Sequence, residues 1–105
     1  MKYTKEQIIA KAKLVMENHL EKYYTEKCID EDIKYIGKEV IEYGKYKGKK
    51  DSLWLVAINS LFDNHNFLHI SDETGEPIYY QNFNSYIFDV EKDKDGKYFM
   101  KEVEY

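Results

Sequence analysis

The stretch Ser52-Leu-Trp-Leu-Val-Ala-Ile-Asn-Ser-Leu-Phe62 constrains this chain more than any other, because it is strongly apolar inside a sequence dense in charge. At a period of two, Trp54, Val56, Ile58 and Phe62 share one face, and Leu53, Leu55, Ala57 and Leu61 share the other. A strand apolar on both faces needs cover on both sides, which predicts a central strand. A helix is the competing reading. Trp, Val and Ile in a short run bounded by turn-forming residues favour the strand.

Cover for one face comes from the N-terminus. Thr4 and Gln7 have the spacing of a capping box, with Tyr3 and Ile8 placed as a hydrophobic staple. Ile8, Ala12, Val15, Met16, Leu20 and Tyr23 then recur at helical spacing, while Lys5, Lys13, Glu17 and Glu21 fall on the opposite side. This predicts a helix over 4–24 with a single apolar stripe, lying on a sheet. Thr25–Asp32 reads as a polar connection. The segment 33–46 supports two readings. Ile29, Ile33, Ile36, Val40 and Tyr43 have helical spacing, with acids in the first turn and Gly44 after the end. Gly37 in the interior and the hairpin-like Lys45–Asp51 favour instead a strand over 38–46.

After the apolar stretch, turns at Asp63–Asn66, Asp72–Pro77, Asn82–Ser85 and Asp93–Gly96 separate strands over 67–71, 78–81, 86–91 and 97–105. Turns about ten residues apart describe an antiparallel meander. The expected fold is α+β: one domain, residues 1–105, with a long N-terminal helix packed on a sheet of four to six strands. At 105 residues the chain is long enough for a single modest core.

Charge narrows the function. All 16 basic residues are lysine, and without arginine the fork that reads phosphates and base edges is missing, so no nucleic-acid partner is expected. Residues 1–50 carry 12 Lys against 9 acids and residues 51–105 carry 4 Lys against 11, so the second half is acidic and suited to a basic partner. Eleven tyrosines fit half-buried sheet faces and binding surfaces alike. A single cysteine, Cys28, excludes an intrachain disulfide and fits a reducing compartment. Neither an apolar leader core nor a run long enough to span a bilayer is present, so the sequence is read as cytoplasmic with no membrane partner.

Candidate chemistry is sparse. Glu91, Asp93, Asp95 and Glu102, with Gly96, match the first, third, fifth, twelfth and sixth positions of a calcium loop. The β-pattern before it and the Asp-Gly turn within it favour a solvated hairpin. His65 or His69 near Asp63 or Asp72 would make a general acid/base pair, although the spacing does not demand one. His19 flanks the helix stripe and has no zinc-like companions. No nucleophile elbow or phosphate loop is present, so no cofactor is expected and the chain is read as non-enzymatic. The lysine run 45–50 reads as a solvated hairpin loop or as a contact for an acidic surface.

The order of helix, strand, Trp-x-Val strand, strand, Asp-x-Thr-Gly turn and strand resembles small helix-plus-meander domains of the cystatin/NTF2-like and PepSY-like kind. Leu53-Trp-Leu-Val56 is similar to the Trp-x-Val strand of NTF2-like immunity proteins. Ile70-Ser-Asp-Glu-Thr-Gly75 is similar to the turn between two strands of PepSY-like domains. The resemblance implies a bacterial immunity protein that binds a cognate toxin, with a basic toxin domain as partner, and does no catalysis. The expected contact surface is acidic and aromatic: Asp63, His65, Asp72, Glu73, Tyr79, Tyr80, Tyr86 and Asp89. The alternatives are a small NTF2-like enzyme or ligand-binding domain using His69 or Asp72 as base, and a phage or mobile-element accessory protein. The second face of the apolar strand awaits cover, from 33–46 or from a partner chain such as a second copy in a homodimer.

Overall fold

A computed structural model describes residues 2–59, 65–82, 84 and 86–103. One helix, α1 (Lys5–Leu20), is followed by short 3-10 turns at Glu21–Tyr23 and Glu26–Cys28. Among the described residues six strands then follow: β1 (Lys34–Val40), β2 (Lys50–Asn59), β3 (His65–Ser71), β4 (Pro77–Gln81), β5 (Ile87–Lys92) and β6 (Tyr98–Glu102). Each strand pairs antiparallel with the next in one open sheet, order β1-β2-β3-β4-β5-β6. The expected α+β arrangement of a helix on an antiparallel meander is present.

The capping box forms at the start of α1. Gln7 N–H donates to Thr4 Oγ1 at 3.2 Å, and Thr4 N–H donates to Gln7 Oε1 at 2.8 Å. The helix stops at Leu20, short of the predicted Tyr24, because Glu21 takes a positive φ of 53° that no α-helix continues through. Ile8, Ala12, Val15 and Met16 bury completely against Trp54, Val56, Ile58, Leu68 and Ile70, with Tyr80, Val90 and Tyr98 completing this core. A polar bridge fastens the helix to the far edge of the sheet. Tyr98 Oη donates to Glu76 Oε2 at 2.6 Å, and Lys11 Nζ reaches Tyr98 Oη at 3.0 Å and Glu76 Oε1 at 3.3 Å.

Two sequence expectations are corrected. The Trp54 strand is second from the edge, not central, because only β1 lies outside it. The 33–46 segment is a strand, but over 34–40 where 38–46 was expected. Gly37 marks the reason: the pairing slips between Tyr35 and Gly37, and Gly37 sits at φ 84°, so the glycine that spoils a helix is a β-bulge.

The remainder of that segment, Ile41–Gly48, folds back over the sheet face opposite α1. There Ile41 and Tyr46 join Leu53, Ile78, Tyr79, Ile87 and Val103 in a second, smaller core. Gly44 lies directly against the Asp89 carboxylate at φ 85°, leaving no room for a Cβ, and Lys45 N–H donates to Asp89 Oδ1 at 3.0 Å. The second face is therefore covered by a loop, not by a helix.

Candidate interaction surface

The residues expected to form one acidic and aromatic surface do not lie together. Asp72 is 4% exposed, in the turn after β3. Its carboxylate accepts hydrogen bonds from Trp54 Nε1 (2.9 Å), Lys2 N–H (2.6 Å) and Tyr3 N–H (3.0 Å). Burial pushes its pKa up, but these donors outweigh burial and hold the carboxyl below its usual range. Asp72 is thus a buried pin between the N-terminal segment and the indole. A short polar side chain after a β-run reads as a turn, and no sequence signal tells that it turns inward.

Tyr79 and Tyr80 are adjacent in β4, so they point to opposite faces, and both are buried: Tyr80 under α1, Tyr79 under the loop. A common surface would need them on the same side, which strand alternation forbids. Glu73 and Tyr86 are exposed at separate turns. Asp89 is half-buried on the loop-covered face, holding Lys45. His65 opens β3 opposite Asn59, and Asp63 lies outside the described residues.

The acid/base pairs fare similarly. His69 is buried on the loop-covered face, paired across the strands with Leu55 and Tyr79, while Asp72 spends its carboxylate on Trp54 of the other face. The His69 and Tyr79 rings stack with centroids 4.1 Å apart and planes at 19°, and His69 Nε2 lies 3.3 Å from Tyr79 Oη. Burial pushes the His69 pKa down to about 4, and among the described residues Nδ1 has no hydrogen-bond partner. The ring is neutral at pH 7 and lacks the carboxylate that a general base of this type uses for orientation. Burial likewise raises the Tyr79 phenol to about 12, with Glu42 and Tyr43 adding to it.

The calcium-loop pattern is a β5–β6 hairpin. Its register sets Glu91 opposite Phe99 and Glu102 opposite Phe88, on opposite faces of the sheet, so the two cannot converge on one ion. Asp93 Oδ1 is engaged by the backbone N–H groups of Asp95 (2.8 Å) and Lys97 (3.0 Å). Among the described residues no group of three His, Cys, Asp or Glu side chains is placed to hold a metal. His19 is exposed at the end of α1 near the Tyr80 ring, and the half-buried Cys28 thiol is pushed up by burial.

A different feature emerges from the folded chain. The Ile41–Gly48 loop covers only part of its face. Beside it, Leu55 and Ala57 of β2 and Phe67 of β3 remain half-buried and floor a recess of about 260 Å³, rimmed by Asp30, Asp32 and Lys34. The recess exists because the chain leaves the β2 edge here. Asp30 N–H still donates to Ala57 O at 3.0 Å, and Asp30 Oδ1 then accepts Asp32 N–H at 2.9 Å in a turn that carries the chain outward before β1 begins. The sequence showed the apolar odd-numbered face of β2. It did not show where the covering loop would stop.

Among the described residues no helix is long and apolar enough to cross a membrane. No protein-family model, curated protein or solved structure matches the chain.

Proposed function

We propose that this domain is a non-enzymatic protein-binding module, and that it acts as an immunity-type inhibitor of a basic toxin domain. The observation that carries the binding reading is the partly covered outer face of the sheet. The floor of Leu55, Ala57 and Phe67 is apolar and half-buried, its rim of Asp30, Asp32 and Lys34 is polar, and the recess is open enough to receive a side chain from another protein. The net charge of −4, concentrated in residues 51–105, supports a basic partner by favouring its approach. The space between helix and sheet is filled by buried side chains, so the binding reading places contact on the outer face.

The test is co-expression with the product of the neighbouring reading frame, expected to be a basic toxin domain. A stable complex that protects growth, lost with Phe67→Asp while the fold is retained by circular dichroism, is the expected result. Equal binding by the Phe67→Asp variant would remove the recess from the interface. Absence of both complex and protection would remove the immunity reading.

A further inference from the structure

The two edges of the sheet differ. At β6 the edge is braced by α1, and Tyr98 is 3% exposed beneath it. At β1 no described strand pairs with the outer edge, and six of its seven residues are exposed, among them Tyr35, Ile36 and Val40. Ile41 N–H donates inward to Lys49 O, and the register pairs Glu39 with Asp51. By alternation, the main-chain groups of Lys38 and Val40 aim away from the sheet, free to accept a further strand. The bulge at Ile36–Gly37 and the lysines at 34 and 38 are devices that discourage indiscriminate pairing along the rest of the edge.

The charge along this edge is ordered. Asp30, Glu31 and Asp32 lie before β1, and Lys45, Lys47, Lys49 and Lys50 outnumber Glu42 and Asp51 in or beside the hairpin after it. An edge with one acidic end and one basic end is self-complementary when two copies meet antiparallel. The acidic end of each then lies along the basic end of the other, twice over by the two-fold axis. A parallel arrangement would set like charges side by side.

We infer that β1 is a homodimerisation edge, at which a second copy of this chain adds antiparallel through Lys38–Val40 to continue the sheet across the two-fold axis. The contact is short and its charges are exposed, so the dimer is weak, dependent on concentration and weakened by salt. It does not depend on the immunity reading, since it forms without any other protein.

Sedimentation equilibrium of the purified chain over a concentration series, at low and high salt, tests this. The expected result is a monomer–dimer equilibrium that salt shifts to monomer. Val40→Pro removes an outward-facing donor, a substitution that an edge strand tolerates, and is expected to abolish dimerisation with Trp54 fluorescence unchanged. Lys47→Glu/Lys49→Glu makes both ends acidic, and Glu31→Lys/Asp32→Lys makes both ends basic. Each variant alone is expected to dimerise about tenfold more weakly, and an equimolar mixture to form a heterodimer. A strict monomer at the highest soluble concentration overturns the proposal. So does a dimer indifferent to Val40→Pro, or a failure of the two folded charge variants to pair when mixed.

Discussion

The two faces of the sheet are built from alternating residues of the same strands, yet they are held by different means. Under α1 the core is continuous: a long amphipathic helix lays one stripe of Ile8, Ala12, Val15 and Met16 across several strands. On the other face a loop does the covering. It seats Ile41 and Tyr46 over Leu53 and Tyr79, leaves His69 with an unsatisfied ring nitrogen, and stops before Leu55 and Phe67. A helix satisfies its own backbone and can bury a broad area, whereas a loop must spend residues on turns and covers less. The helix face is thus where stability resides, and the loop face is where apolar side chains remain half-exposed.

Truncation tests this contrast most strongly. Leu68→Ala, at a site with no exposure under the helix, is expected to cost about 3–4 kcal/mol. Leu55→Ala on the floor of the recess is expected to cost about 1 kcal/mol. Urea titration followed by Trp54 fluorescence measures both, and equal losses would erase the distinction between the faces.

Acid separates the faces by pH window. The His69 pKa falls from 6.5 to about 4 on folding, so between these values the unfolded chain binds more protons than the folded one. Stability is full above pH 6.5 and is lost as pH falls towards 4, by about 3 kcal/mol in all. On the helix side, the Asp72 and Glu76 carboxyls have folded pKa values below their usual 3.8 and 4.5. Their contribution is present above those values and is lost only as pH falls below them. His69→Gln should therefore flatten the stability profile between pH 6.5 and 4 and leave the more acidic limb in place. A profile unchanged by His69→Gln would mean that the loop face opens before its histidine titrates.

Smaller effects concern how each face is fastened. Asp72→Ala leaves the Trp54 indole N–H and the Lys2 and Tyr3 amides without their acceptor, at a cost of about 2 kcal/mol and with a shift in Trp54 emission. Gly44→Ala places a methyl against the Asp89 carboxylate at a positive φ. It should loosen the loop by about 1–2 kcal/mol without moving the Trp54 signal, and raise hydrogen exchange in 41–48 alone. If Gly44→Ala disturbed Trp54 as much as Asp72→Ala does, the two faces would be one cooperative unit with no separate fastening.

How much of this was legible in advance follows the range of the forces involved. The capping box at Thr4, the stripe from Ile8 to Met16, the Asp93–Gly96 turn and the alternation from Leu53 to Ile58 are local signals, and each became the element it predicted. Gly37 was read correctly as hostile to a helix, but whether it would end a strand or bulge one depended on its pairing with β2. The residues of the expected contact surface are dispersed for a related reason. Asp72, Tyr79 and Tyr80 are polar-tipped residues near turns, and composition placed them outside. Their fate rested on Trp54, the N-terminal segment and the Ile41–Gly48 loop, all distant in sequence.

By itself the sequence determined the helix and the order of the strands from β2 onward, because helix caps, apolar period and turn residues act within a few positions of one another, while it left 33–46 open between helix and strand. It also determined that β2 would be apolar on both sides. Only the tertiary structure decided what covers each side, that Asp72 faces inward, and that a recess floored by Leu55, Ala57 and Phe67 and an edge unpaired among the described residues are left over. Those outcomes depend on where the covering segments end in space, which no local pattern encodes.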